Sequence, residues 1–283
     1  MTGTYDSAWK DKLLSWDGTA MTYDAIGNML TRGGTTYTWT QGRRLSGVEN
    51  GKSIKYLYDH TGARVKKTVD NTVTEYQWAG DLLLSEKTDG RIIWYCYDSQ
   101  ANLISVTIRG ITYFYVRNVQ GDIIALVDAD GKVVVKYTYD SWGKVVAVTG
   151  ELADTVGAQN PFRYKGYYYD NETRMYYLKS RYYDAEIKRF ICMDKYFMTN
   201  RGMNKSNMLV YCENNPINRV DMFGTCWYDA KGNWRHDNWE YKGNYKRQPK
   251  PAGKPNINIT YKLNKTATTP FMIHFWQKDS HLR

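Results

Sequence analysis

Between Asn160 and Phe190 the chain reads NPFRYKGYYYDNETRMYYLKSRYYDAEIKRF, with eight tyrosines at 164, 167, 168, 169, 176, 177, 182 and 183. Phenol rings at this density do one of two things. They stack on sugar faces, as a carbohydrate- or wall-polymer-binding platform does, or they pack on one another and turn their hydroxyls to backbone or water. Other reactive groups are sparse. Cys96, Cys192, Cys212 and Cys226 have no CxxC or Cys/His ligand spacing. That pattern predicts buried free thiols, with neither a zinc site nor a disulfide framework, and no motif implies a cofactor. Of four histidines, His236, His274 and His281 fall in the last fifth. His274 and His281, with Lys278 and Asp279 between them, suit a general acid/base site without being diagnostic of one. Cys226 has no convincing histidine partner to make it a nucleophile.

The elements that must position the tyrosines are written as a repeat. MTYDAIGNMLTR (21 to 32), YLYDHTGARVKK (56 to 67), YCYDSQANLISV (95 to 106) and YTYDSWGKVVAV (137 to 148) share one template. It is Tyr-x-Tyr-Asp, a short polar stretch, then apolar alternation. Weaker copies at 37 to 48, 76 to 87 and 115 to 126 fill the gaps. The template aspartate falls at Asp24, Thr40, Asp59, Ala79, Asp98, Asn118 and Asp140, in steps of 16, 19, 20, 19, 20 and 22. Each copy reads as a hairpin: an aromatic strand, an Asp/Gly turn and an aliphatic return strand. A lone hairpin is marginal in water, so the copies stack and cover one another's apolar faces. The expected fold is mainly β, a long curling sheet in which the tyrosines form a packed ladder between successive hairpins. The composition agrees, with 26 Tyr, 10 Trp and 23 Gly against 6 Pro in 283 residues.

Charge separates body from tail. Residues 1 to 225 carry a net +3 and residues 226 to 283 a net +7. The tail interleaves its basic residues with aromatics, a composition suited to nucleic-acid contact. It also fits a short, irregular basic appendage or the stub of a replaced effector, and KRQPKPAGKP within it reads as a flexible linker. No apolar run reaches transmembrane length, and MTGTYDSAWKDKLLSW lacks the features of a signal peptide. Export would therefore rest on an upstream part.

Residues 20 to 225 resemble the YD repeats of the Rhs family, which also occur in wall-associated proteins, teneurins and shell-forming subunits of insecticidal toxin complexes. The tyrosine-rich stretch, followed by LVYCENNPINRVD, is similar to the repeat-associated core domain that closes such arrays. The resemblance implies three parts: repeats over 1–150, the core domain over 151–225 and a variable passenger over 226–283. It also implies a hollow β-shell enclosing its own C-terminal effector, an immunity protein as partner, and an extracellular or cell-surface location as part of a longer parent. Relatives cut themselves with two aspartates and a nearby arginine, after a motif Asp-Pro-x-Gly-Leu. The matching positions are Arg181, Asp194 and Asp221, which places the cut between Thr225 and Cys226. This chain departs from the motif: Lys195 and Met222 stand where proline follows each aspartate, and Thr225 replaces the leucine. Proline's fixed backbone angle is thus missing from the turn.

Overall fold

The structure is a computed structural model. It describes residues 2–195 and 207–225, and the backbone of Trp227–Asp229 and Trp234–Arg235. Sixteen strands form one antiparallel sheet in chain order. They are β1 Gly3–Tyr5, β2 Leu13–Trp16, β3 Thr19–Tyr23, β4 Met29–Arg32, β5 Thr35–Thr40, β6 Arg44–Glu49, β7 Ser53–Tyr58 and β8 Arg64–Val69. The run continues with β9 Thr72–Ala79, β10 Leu82–Thr88, β11 Arg91–Tyr97, β12 Leu103–Ile108, β13 Ile111–Arg117, β14 Ile123–Val127, β15 Val133–Tyr139 and β16 Val145–Thr149. A second sheet holds β17 Tyr168–Asp170, β18 Met175–Tyr177, β19 Tyr182–Asp184 and β20 Arg189–Phe190. A third joins β21 Arg219–Val220, β22 Trp227–Asp229 and β23 Trp234–Arg235, so the head of the tail is stranded where irregular chain was expected.

The template aspartate makes its turn by accepting backbone N–H groups. Asp59 Oδ1 receives those of Thr61, Gly62 and Ala63, and Asp24, Asp98 and Asp140 each receive the N–H groups two and four residues ahead. Asn118 does the same with its amide oxygen. The carboxylate offsets donors that a five-residue turn leaves without ladder partners. Gly62 sits at φ +94°, a conformation open to glycine. Where Ala79 replaces the aspartate the turn is one residue shorter, with Trp78 paired to Leu83; where Thr40 replaces it the length is kept, Trp39 pairing with Leu45 as Tyr58 does with Arg64. Two further copies escaped the spacing. Asp6 caps the β1–β2 turn through Ala8 and Trp9, and Asp128 caps a turn on the opposite edge of the sheet.

Every repeat carries a bulge of one geometry. One extra residue on the return strand, Leu30, Ser46, Val65, Leu84, Ile104, Ile124 or Val146, has no partner across the hairpin. A bulge bends its strand and adds twist. The neighbouring repeats then part at that edge, and their ladders stop short of the residue just before each bulge. A side chain restores the missing bond. Trp39 donates to the Met29 carbonyl at 2.7 Å, Tyr58 to Leu45 at 2.7 Å, Trp78 to Arg64 at 2.8 Å, Tyr97 to Leu83 at 2.9 Å and Tyr139 to Ile123 at 2.7 Å. Arg117 does so for Leu103. The residue before the template aspartate is thus a staple between repeats, which is why it must be large and carry a donor.

The sheet winds around the tyrosine-rich segment. Laid flat, sixteen strands span roughly 70 Å, whereas the four-stranded sheet is roughly 15 Å wide. Yet adjacent residues of β19 touch both halves of the large sheet. Asp184 pairs with Arg32 of β4, while the Tyr183 hydroxyl donates to the Trp142 carbonyl in the β15–β16 turn. The Lys188 ammonium lies 5.8 Å from the ring of Trp16 and 5.5 Å from that of Trp142. First and last hairpins therefore meet over a plug. All eight plug tyrosines are buried, as are Tyr56, Tyr76, Tyr95 and Tyr137 of the repeats. They form the ladder that the repeat predicted, and their faces offer no platform to a sugar. The thiols follow their expectation in part. Cys192 and Cys212 are buried, Cys96 is exposed because it points outward from β11, and Cys226 lies outside the described residues. No helix among the described residues is long and apolar enough to cross a membrane.

Two measurements check this account. Tyr97→Phe leaves the Leu83 carbonyl without its donor, and should lower unfolding free energy by about 1 to 3 kcal/mol in denaturant titration. Glu86 is buried between the hydroxyls of Tyr95 and Tyr168, and burial raises its pKa above the ordinary 4.5. The folded state then holds the proton more tightly than the unfolded chain, so this term falls as pH rises from about 4.5 through the raised folded value. Stability measured against pH should show Glu86→Gln losing that decline, so that the variant gains on the parent as pH rises above about 4.5.

Candidate functional site

Arg181, Asp194 and Asp221 come from three parts of the chain and are gathered in one buried site. Arg181 enters β19 from a turn in which Leu178 N–H donates to the Arg181 carbonyl. Pairing of Tyr183 with Phe190 sets β20 alongside, and the guanidinium lies 3.6 Å over the Phe190 ring. Ring and cation attract, and the apolar face excludes water from one side of the charge. Asp194 follows β20, and its N–H donates to the Met208 carbonyl at 3.1 Å. The same carbonyl accepts Arg181 Nη1 at 2.9 Å. Asp221 follows β21, and its N–H donates to the Tyr167 hydroxyl at 3.0 Å, which in turn bonds the Tyr211 hydroxyl at 3.0 Å.

One nitrogen joins the two carboxylates. Arg181 Nη2 is 2.9 Å from Asp194 Oδ2 and 3.6 Å from Asp221 Oδ2. The three side chains are nearly inaccessible, with residue exposures of 6%, 8% and 3% for Arg181, Asp194 and Asp221. Burial strengthens their mutual attraction and makes the loss of any partner costly. A buried carboxylate pair spanned by one cation has the parts for general acid/base work on a nearby bond.

The Asp221–Thr225 turn ties the chain up to Thr225 to the same group of side chains. Asp221 Oδ1 accepts N–H groups from Phe223 at 3.3 Å and Thr225 at 3.1 Å. These bonds do by side chain what a proline at Met222 would do by backbone. Gly224 accepts Arg181 Nε at its carbonyl and sits at φ +71°. A Cβ there would lie 2.9 Å from the Leu178 carbonyl oxygen and 2.7 Å from Ser180 Oγ, so the position admits only glycine. Ser180 Oγ also donates to the Phe223 carbonyl at 2.5 Å. Thr225 is placed, whereas Cys226 and the three tail histidines lie outside the described residues. The connection from β21 to β22 contains the Thr225–Cys226 bond.

Sequence reasoning missed the residues that hold this site. Tyr167 looks like one plug tyrosine among eight, and Arg43, whose guanidinium donates to the Asp194 carbonyl, lies 151 residues away. Burial pushes the thiol of neighbouring Cys192 up to about 12, although the charges of Arg181 and Arg43 pull it down. Among the described residues no group of three metal-ligating side chains gathers.

Comparison with known proteins agrees with this architecture. The Teneurin YD-shell family model matches residues 3–217. The tRNA3(Ser)-specific nuclease WapA of Bacillus spizizenii is 36% identical over 213 residues, covering 72% of this chain. The tRNA nuclease WapA of Bacillus subtilis matches to the same extent. Double-stranded DNA deaminase toxin A of Burkholderia cenocepacia is 24% identical over 254 residues and 76% of the chain. The chain spans 9% of the WapA proteins and 17% of the deaminase toxin. Among solved structures, TcdB2-TccC3-Cdc42 superposes with a TM-score of 0.61 at 19% identity, over 79% of this chain and 13% of that one. The Photorhabdus luminescens Tc holotoxin pore superposes with a TM-score of 0.55 at 17% identity, over 79% of this chain and 13% of that one. Repeat, wound sheet and family model concur, and the chain belongs to the teneurin YD-shell family, whose Rhs-type members share its hairpin repeat.

Proposed function

We propose that this chain is the closing end of an Rhs-type shell that presents a C-terminal effector, and that it severs its own backbone between Thr225 and Cys226. The observation that carries the second part is the joint pairing of Arg181 with Asp194 and Asp221, while its Nε holds the carbonyl next to Thr225. In this reading 1–150 is repeat wall, 151–225 is the core domain and 226–283 is the effector or its remnant. Relatives named as nuclease and deaminase toxins support a role in toxin delivery between bacteria, with an immunity protein guarding the producer. Export follows as part of a longer parent.

The chemistry is hydrolysis. One carboxylate takes a proton from water as its oxygen bonds to the Thr225 carbonyl carbon. The other gives a proton to the departing nitrogen as the C–N bond breaks. The products are a Thr225 carboxyl group and a Cys226 amine, with one water consumed. Arg181 supplies a fixed positive charge beside the developing oxyanion and orients both acids. A single turnover suffices, since substrate and catalyst are one chain.

Intact mass on a denaturing preparation checks this. The parent protein should appear as two pieces meeting at Thr225 and Cys226. Asp194→Asn and Asp221→Asn should each remain one chain. A parent protein that stays whole, or variants that are cut as well, would sink the reading.

A further inference from the structure

We propose that Arg43 is a positioning residue for Asp194, so that the self-cleavage site is completed only when the repeat wall has closed on the plug. This rests on the reading of Asp194 as one of the cleaving carboxylates. Arg181, Asp221 and Tyr167 all belong to the plug or the segment after it. Asp194 is held by that segment too, through its N–H on the Met208 carbonyl, and also from the wall.

The wall grips residues 191 to 194 at two backbone points. The N–H of Met29, first residue of β4, donates to the Ile191 carbonyl at 2.9 Å. Arg43 Nη1 donates to the Asp194 carbonyl from the β5–β6 turn. Together they fix the peptide units around Asp194, and with them the direction of its carboxylate toward Arg181 Nη2.

The turn carrying Arg43 is itself rigid, and for a reason particular to this repeat. It lacks the template aspartate and turns through two left-handed residues, Gln41 at φ +47° and Gly42 at φ +82°. Asn28, fully buried, braces it: its Nδ2 donates to the Gly42 carbonyl at 2.6 Å and to Asp24 Oδ2 at 2.7 Å. The repeat that departs from the template, with Thr40 in place of its capping acid, therefore carries Arg43 where Asp24, Asp59 and Asp140 are followed three residues later by Gly27, Gly62 and Gly143. A charge-assisted bond from a braced turn is directional, and small misplacement of a reacting group is expensive in rate. The consequence is a checkpoint: a chain whose second and third hairpins have not docked has Arg181 and Asp221 in place but not Asp194.

The test compares the parent protein with Arg43→Ala and Arg43→Lys by two readouts. The first is the rate of chain cutting by denaturing mass. The second is thiol labelling of Cys192, two residues before Asp194, with buried Cys212 as the internal control. The proposal predicts that Arg43→Ala slows cutting at least tenfold and speeds Cys192 labelling, with Cys212 unchanged and Arg43→Lys partly restoring both. An uncut parent whose Cys192 labelling still responds to Arg43→Ala upholds the positioning and rejects the cleavage reading. Unchanged Cys192 labelling overturns the proposal, as does labelling of Cys192 and Cys212 that rises equally, since that marks general loosening.

Discussion

The wall and the plug are registered by one buried charge pair. Arg64, 1% exposed, places Nη1 2.5 Å from Asp170 Oδ2 and Nη2 3.1 Å from Asp170 Oδ1. The rings of Tyr56, Tyr76, Tyr168, Tyr177 and Tyr182 surround the guanidinium with centroids 4.5 to 6.0 Å away. Lys67 adds a second cation at 3.0 Å from the same carboxylate. Burial alone would raise the Asp170 pKa, but these two cations reverse the effect and hold it below the ordinary value. Near-identical repeats pose a problem that this pair solves. The column residue just before the bulge on each return strand is Met29, Leu45, Arg64, Leu83, Leu103, Ile123 or Val145, and only one is charged. A plug shifted by one repeat would bury Asp170 against an aliphatic side chain and strand Arg64. Buried ion pairs add little net stability but penalise wrong arrangements heavily.

From that register the rest follows. Asp170 on Arg64 sets Tyr168 on Tyr76 and Glu86 in one direction, and Tyr182 on Tyr58 in the other. Farther out, Asn160 meets Tyr115 and Tyr137, and Asp184 meets Arg32. The plug thus retraces the wall in reverse chain order. Its far end delivers Arg181 and Phe190 to the place where Asp194 and Asp221 arrive.

Much of this was legible in the chain, and the exceptions have physical causes. The hairpins announce themselves because each needs an aromatic donor, a capping acid and an aliphatic return at fixed spacing. Asp6 was missed because its turn is longer, and Asp128 because it caps the opposite edge. The bulge hides in the sequence: the extra residue at Leu30 or Leu84 reads as plain apolar chain. Arg64 is one of three basic residues in the GARVKK copy, its partner is 106 residues away, and no local pattern points to it. For the site, the family motif located Arg181, Asp194 and Asp221, whereas Arg43 and Tyr167 do their work through long-range packing. The missing prolines weighed against a formed turn, yet Asp221 Oδ1 and Gly224 shape it without them.

The most direct test of the register is a double-mutant cycle on Arg64→Leu and Asp170→Asn, read by denaturant unfolding. Leucine is what three sibling repeats carry at this position, Leu45, Leu83 and Leu103, so the replacement suits the column. Arg64→Leu alone should cost about 3 to 5 kcal/mol because it leaves a buried carboxylate with one cation fewer. The double variant should recover at least about 2 kcal/mol of the summed losses. Losses that simply add would contradict the account, for they would mean that Arg64 and Asp170 stabilise the protein independently and that something else sets the plug in its place.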